Sequence, residues 1–227
     1  MSAKKKIAIC GLGYVGLPLG IRFAEAGIQV IGLDIDESKV NSLNKGLSYI
    51  KNIESSQLNR LVKERNFYAS KDFSIIAQVE AVLICVPTPL GSHREPDISY
   101  VLSTGKKIAP FLKRLPNELK PLVVLESTTY PGTTDEDLRI LLEKESGLLA
   151  GKDFHLAYSP EREDQVVRNI LFEQFLRSWV GSPMSALDDV LNYIQLPLIR
   201  FIPFPLQGLQ RLQSLWRISS GRSISLW

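Results

Sequence analysis

Gly11, Gly13 and Gly16 stand in the pattern G-x-G-x-x-G, directly after the apolar run 7–10 and directly before a helical pattern. No other feature of the chain restricts its fold as tightly. The first glycine permits a tight turn, the second lets a pyrophosphate approach the backbone, and the third lets a helix pack close to the preceding strand. A helix opening there aims free N–H groups and a partial positive charge at an anion. Leu17, Leu19, Ile21, Phe23 and Ala24 mark one face of that helix, Pro18 falls in its first turn, and Gly27 sits where a C-cap belongs. A second apolar run, 28–33, ends at Asp34. An acid at that place can accept both ribose hydroxyls of an adenosine and repels a 2′-phosphate, so the expected cofactor is NAD rather than NADP.

The pattern continues in alternation. Asp36 is placed to cap a helix running to about Asn44, residues 55–66 read as helix, and 67–69 as a short strand. Residues 81–86 form another apolar run, stopped by Pro87-Thr88-Pro89. Residues 97–111 read as helix, 122–125 as strand, 135–144 as helix and 154–158 as strand. Strands alternating with helices predict an α/β fold with a doubly wound, mostly parallel sheet: a Rossmann-like NAD-binding domain over residues 1–164.

In such sheets ligands bind outside the carboxyl ends of the strands. Three of those ends carry polar sequences: Thr88 between two prolines, the hydroxyl-rich turn 126–134, and Ser159-Pro160-Glu161. Each alone could be turn chemistry or a helix cap; together they outline one polar rim. Cys10 and Cys85 lie amid apolar residues on the first and fourth strands and read as buried, inert thiols. Two cysteines build no disulfide framework, and pairs of cysteines or histidines at metal-ligand spacing are lacking. His93 and His155 read as solvated or packing residues, and Lys106-Lys107 and Lys113-Arg114 as solvated surface rather than a nucleic-acid site. Lys4-Lys5-Lys6 before an apolar run could open a signal peptide, but the glycines and Pro18 interrupt it; the expectation is a cytosolic protein without a membrane span.

At this point GLGYVGLP, VPTP followed by REPD, ESTTYPGTT and SPERED, in that order over residues 6–164, resemble the UDP-glucose/GDP-mannose dehydrogenase family of nucleotide-sugar 6-dehydrogenases. Arg94-Glu95-Pro96-Asp97 and Tyr130 are most similar to its UDP-N-acetylglucosamine 6-dehydrogenase branch. The resemblance implies oxidation of a sugar CH2OH to a carboxylate by two hydride transfers to NAD. It implies that Gly11, Gly13, Gly16 and Asp34 hold the dinucleotide, that Lys39 touches its ribose and that Thr88 lies near the nicotinamide half. It further implies that Thr128 and Glu161 orient water and protons around the reacting carbon. On residue chemistry alone, Glu161 reads equally as a surface acid paired with Arg162. The implied partner is a UDP-sugar, with UDP-glucose as the alternative substrate and a non-catalytic NAD-binding fragment as the alternative function. A small-hydroxy-acid dehydrogenase is disfavoured by the same motifs.

The pattern stops after Asp164, and so does the composition. Of 27 Lys+Arg and 24 Asp+Glu, residues 165–227 hold six arginines, three acids and no lysine, so the net charge of +3 resides entirely there. All three tryptophans, Trp179, Trp216 and Trp227, share that stretch. Reading codons from the last base of each residue and the first two of the next permits Pro-Gly at once after Asp164, then the family's Ile-Pro-Lys-Val-Val-Gly-Gly stretch, in which Trp179 into Val180 forces a glycine. The same frame permits a family-like helix over the last residues. Residues 165–227 are therefore expected to be a frameshifted tail, lost from frame by one base near Asp164; a divergent tail with its own helices is the alternative. Under the frameshift reading, the family's dimerisation helix, catalytic cysteine and sugar-binding domain are missing from this chain, although the family is expected to be homo-oligomeric.

Overall fold

A computed structural model describes residues 5–91, 95–113 and 120–159. Six strands form one sheet: β1 (Lys6–Cys10), β2 (Gln29–Leu33), β3 (Phe67–Ser70), β4 (Ala81–Ile84), β5 (Leu122–Leu125) and β6 (His155–Tyr158). Their order is β3-β2-β1-β4-β5-β6, and every pair is parallel. The α-helices are α1 (Gly16–Glu25), α2 (Glu37–Asn44), α3 (Ser55–Lys63), α4 (Ser99–Ile108) and α5 (Arg139–Ser146). This is the doubly wound α/β arrangement, with its reversal of strand order at the β1/β4 boundary.

The strand sequences explain why. β4 (AVLI) and β5 (LVVL) are buried at every position, as strands covered by helices on both faces must be. Cys10, Leu33, Ile84 and Leu125, the last residues of four adjacent strands, join one core cluster with Val101 and Ile108 of α4 and Leu142 of α5. Among the described residues no helix is long and apolar enough to cross a membrane.

Several element ends differ from the sequence expectation, each for a physical reason. The helix expected over 55–66 stops at Lys63 because Arg65 adopts a left-handed backbone (φ 58°). Asn66 N–H then reaches Leu61 O (3.0 Å) and Arg65 N–H reaches Val62 O (3.1 Å), a Schellman closure with arginine where glycine is usual. The helix expected over 97–111 begins only at Ser99, whose N–H is capped by the Asp97 carboxylate (2.8 Å). Its last turn, Ala109–Phe111, tightens to a 3-10 helix around Pro110, which has no N–H to continue the ladder.

The helix expected over 135–144 is entered through a π-helical turn, Thr133–Leu138, before α5 begins. Thr133 is fully buried there, and its hydroxyl donates to Tyr130 O (2.9 Å), a side-chain bond that competes with the regular helical ladder. The strand expected over 81–86 ends at Ile84, so Cys85 lies one residue past β4 rather than on it. A 3-10 helix at Phe73–Gln78, capped by Asp72, was not expected.

Candidate functional site

The turn after β1 is shaped by what its glycines exclude. Gly11 has φ +93°, and a Cβ there would lie 2.7 Å from Cys85 O. A Cβ on Gly16 would lie 1.9 Å from Gly11 O, so the first and third glycines lock the start of α1 against its own turn. The same contact seats the turn on the backbone that follows β4, since Val86 Cα is 3.2 Å from the Gly11 Cβ position. A Cβ on Gly13, by contrast, meets nothing within 4 Å.

Leu12 is held at three points. Its side chain is fully buried and fills the room left by Gly32 of β2, where an added Cβ would come within 2.7 Å of it. Its N–H donates to Asp34 Oδ2 (2.9 Å), and its carbonyl accepts from the Tyr49 hydroxyl. Asp34, only 8% exposed, also accepts from Asp36 N–H through Oδ1 (3.0 Å). Lys39 Nζ stands 3.7 Å from Asp34 Oδ2 and 5.9 Å from the centre of the Tyr49 ring. Gly11, Gly13, Gly16, Asp34 and Lys39 thus lie in one corner.

These residues fit a dinucleotide. The start of α1 has no side-chain cap and no acid in its first turn, so its N–H groups and positive end would meet an anion unopposed. The open space at Gly13 is the room a pyrophosphate needs next to the backbone. Each Asp34 oxygen takes one backbone N–H and keeps lone-pair capacity for a ribose hydroxyl.

A second corner lies at the ends of β4 and β5. The Thr88 hydroxyl donates to Thr128 O (2.6 Å), and the buried Ser127 hydroxyl donates to Val86 O (2.6 Å). The two following loops are therefore stitched in both directions by hydroxyls. Thr88 and Thr128 come together as expected from the rim motifs, with the Thr128 side chain exposed. Tyr130 is partly exposed and its hydroxyl donates to Asp137 Oδ2 (3.1 Å). Glu161 lies outside the described residues, as do Arg94, His93 and the stretch 165–227.

Both thiols are free and buried. Burial, reinforced by the nearby Asp34 charge, pushes Cys10 up to about 12, and burial likewise raises Cys85. Among the described residues no cluster of three metal-ligating side chains occurs. A shallow groove lined by Gly46, Leu47, Asn59 and Arg60 includes none of the predicted site residues.

Two contributors were missed by sequence reasoning. Ser127 had a usable signal: it continues the alternation of β5, so it shares the buried side with Leu125 while Thr128 points out. Tyr49 had none, because its partner Leu12 is 37 residues away in an unrelated stretch of sequence.

Comparison with known proteins agrees with this geometry. A model described as "UDP-glucose/GDP-mannose dehydrogenase family, NAD binding domain" matches residues 5–175, eleven residues beyond the point where the quoted motifs end. The chain is 34% identical over 157 residues to the UDP-N-acetyl-D-glucosamine 6-dehydrogenase of Pseudomonas aeruginosa, covering 69% of this chain and 35% of that protein. It is 34% identical over 192 residues to Protein CapL of Staphylococcus aureus, covering 83% of this chain and 42% of that protein. Among solved structures, the NDP-N-acetyl-D-galactosaminuronic acid dehydrogenase of Methanosarcina mazei Go1 matches with a TM-score of 0.63 and 37% identity, over 71% of this chain and 35% of that one. The chain thus spans less than half the length of the relatives it matches. With the glycine turn, the acid ending β2 and the strand order all in agreement, the chain belongs to the UDP-glucose/GDP-mannose dehydrogenase family, and its described residues form that family's NAD-binding domain.

Proposed function

We propose that this chain supplies the dinucleotide-binding part of an NAD-dependent dehydrogenase that oxidises the 6-hydroxymethyl group of a UDP-sugar, UDP-N-acetylglucosamine in the first instance, to the uronic acid. The observation that carries the reading is the corner at the end of β2, where a buried carboxylate holds the glycine turn ahead of an uncapped helix start and space is open at Gly13. The choice of sugar is supported by the resemblance of the sequence Arg94-Glu95-Pro96-Asp97 and of Tyr130 to the UDP-N-acetylglucosamine branch, and by the named activity of the Pseudomonas relative. UDP-glucose is the alternative substrate. We place the protein in the cytosol, in surface-polysaccharide precursor synthesis, and expect a homo-oligomer in the family's full-length form.

When bound, NAD supplies the acceptor for the hydrogen and electron pair that leave the sugar carbon. The chain's own residues do the rest of the work at this end. Asp34 would take the ribose hydroxyls, the N–H groups at the start of α1 would take the pyrophosphate, and Lys39, 3.7 Å from Asp34, would lie on the ribose side. Thr88 fixes the loop that carries Thr128 by holding its carbonyl. Thr128 and Glu161 are proposed to orient water and protons at the reacting carbon.

Binding and turnover separate the readings. Calorimetric titration with NAD, run beside NADH formation on UDP-N-acetylglucosamine and on UDP-glucose, is the test. Binding with turnover on the acetylated sugar supports the enzyme, binding without turnover supports a non-catalytic NAD-binding fragment, and no binding rejects both.

We further read residues 165–227 as an out-of-frame stretch, a reading supported by the family-like segments that the one-base-back frame permits and by the abrupt loss of lysine. Sequencing the gene across codons 160–227 tests it: a stop codon in that frame, or the absence of a Pro-Gly start, rejects it.

A further inference from the structure

We propose that Tyr49 is a positioning residue of the dinucleotide site, acting through the Leu12 carbonyl and the Lys39 ammonium, and that it tunes the preference for NAD over NADP. The inference rests on the NAD reading of the same corner.

Leu12 is the residue between the first two glycines, so the tilt of its peptide sets where the neighbouring Gly13 backbone points. Its N–H is fixed by Asp34 and its side chain by the slot at Gly32, both contributed by the β2 segment. The third fixing comes from elsewhere. Tyr49 lies in the segment between α2 and α3, and its hydroxyl donates to the Leu12 carbonyl. With the carbonyl held, rotation of the Leu12–Gly13 peptide requires breaking that bond, and the backbone at the open Gly13 position is set before any ligand arrives.

The ring has a second task. Lys39 Nζ lies 5.9 Å from its centre while standing 3.7 Å from Asp34 Oδ2. The ring face and the carboxylate together hold one cation at the edge where the adenosine ribose meets Asp34. Asp34 repels a 2′-phosphate; a tethered ammonium beside it offsets part of that repulsion. Asp36, the other acid near this corner, is exposed and caps α2. Burial, followed by the charges of Asp34 and Asp36, holds the Tyr49 phenol above its ordinary range.

The test uses the full chain with Tyr49→Phe, Tyr49→Ala and Lys39→Ala, each checked for folding by circular dichroism at the titration temperature. Tyr49→Phe keeps the ring and loses only the hydrogen bond, so the Kd for NAD rises about fivefold while the ratio of NADP to NAD Kd stays within twofold. Tyr49→Ala releases Lys39 as well, and that ratio rises about threefold, in the same direction as in Lys39→Ala. A role confined to fold stability moves neither quantity in a folded variant. Unchanged NAD affinity in folded Tyr49→Phe, or a ratio that moves in Lys39→Ala but not in Tyr49→Ala, overturns the proposal. Hydrogen exchange at the Leu12 and Gly13 amides without ligand provides a second reading. It is expected to quicken in Tyr49→Phe, and unchanged exchange overturns the positioning role. If the wild-type chain binds no NAD, the cofactor reading and the selectivity claim fall together, while the exchange result still decides whether Tyr49 holds the turn.

Discussion

At the end of β2 a buried carboxylate organises its surroundings by accepting two backbone N–H bonds, whereas at the ends of β4 and β5 two hydroxyls do so by donating to carbonyls. The first corner spends acceptors on the protein and keeps a negative charge with lone pairs to spare, which suits ligand groups that donate. The second corner commits its O–H protons to carbonyls, so the half-buried Thr88 hydroxyl keeps only acceptor lone pairs and the Ser127 hydroxyl is buried. Both corners need distant segments to meet: the Tyr49–Leu12 bond spans 37 residues, and the two hydroxyl bonds span 40 and 41.

The harshest way to break the comparison is at its hinge. Gly16→Ala places a carbon 1.9 Å from Gly11 O, and we expect a stability loss of about 3 kcal/mol or more and no measurable NAD binding. Thermal unfolding and NAD titration check it. Gly13→Ala is the contrast: the space is open, so the melting temperature should hold while NAD affinity falls about tenfold.

Asp34→Ala strikes only the anionic corner. The buried Leu12 N–H and the part-buried Asp36 N–H lose their partner, at a cost of about 1–3 kcal/mol, and NAD affinity should fall by about two orders of magnitude. Retained affinity in a folded variant would remove the carboxylate from the site.

Alkaline titration probes the ground beneath both corners. The folded chain holds the Cys10 proton more tightly than the unfolded chain, so its contribution is intact below pH 9.0 and is lost as pH rises toward about 12. Denaturant midpoints should decline across that window, and Cys10→Ala should flatten the decline.

The hydroxyl corner should respond less. Ser127→Ala or Thr88→Val removes one stitch, costing about 1 kcal/mol and shifting NAD affinity by less than the Asp34 substitution does. An effect on NAD binding as large as that of Asp34→Ala would erase the distinction between the corners. Smallest of all, Arg65→Gly relieves a left-handed non-glycine position remote from both and should stabilise the chain by about 0.5–1 kcal/mol, read from the denaturant midpoint.

The strands were legible because parallel strands covered on both faces must be short apolar runs, and residues 122–125 can be little else. Asp34 was legible because its place is counted from the glycine turn. The element ends were not. The π turn over residues 133–138 opens where the Thr133 hydroxyl bonds the Tyr130 carbonyl, a local contact that periodicity does not encode. Arginine at a left-handed position likewise gave no glycine signal at the end of α3. Tyr49 shows the wider limit: a side chain whose role is to hold a distant carbonyl leaves no local mark.

The slot at Gly32 has a consequence for inheritance. Leu12 fits only because β2 lacks a side chain opposite it, so the two positions constitute one packing decision made at two sites. Chimaeras that join relatives with a crossover between residues 12 and 32 will mismatch the pair unless both parents made the same choice. Swaps with the crossover beyond Asp34 carry turn, slot and acid together, and recombined family members should survive preferentially when their junctions fall there.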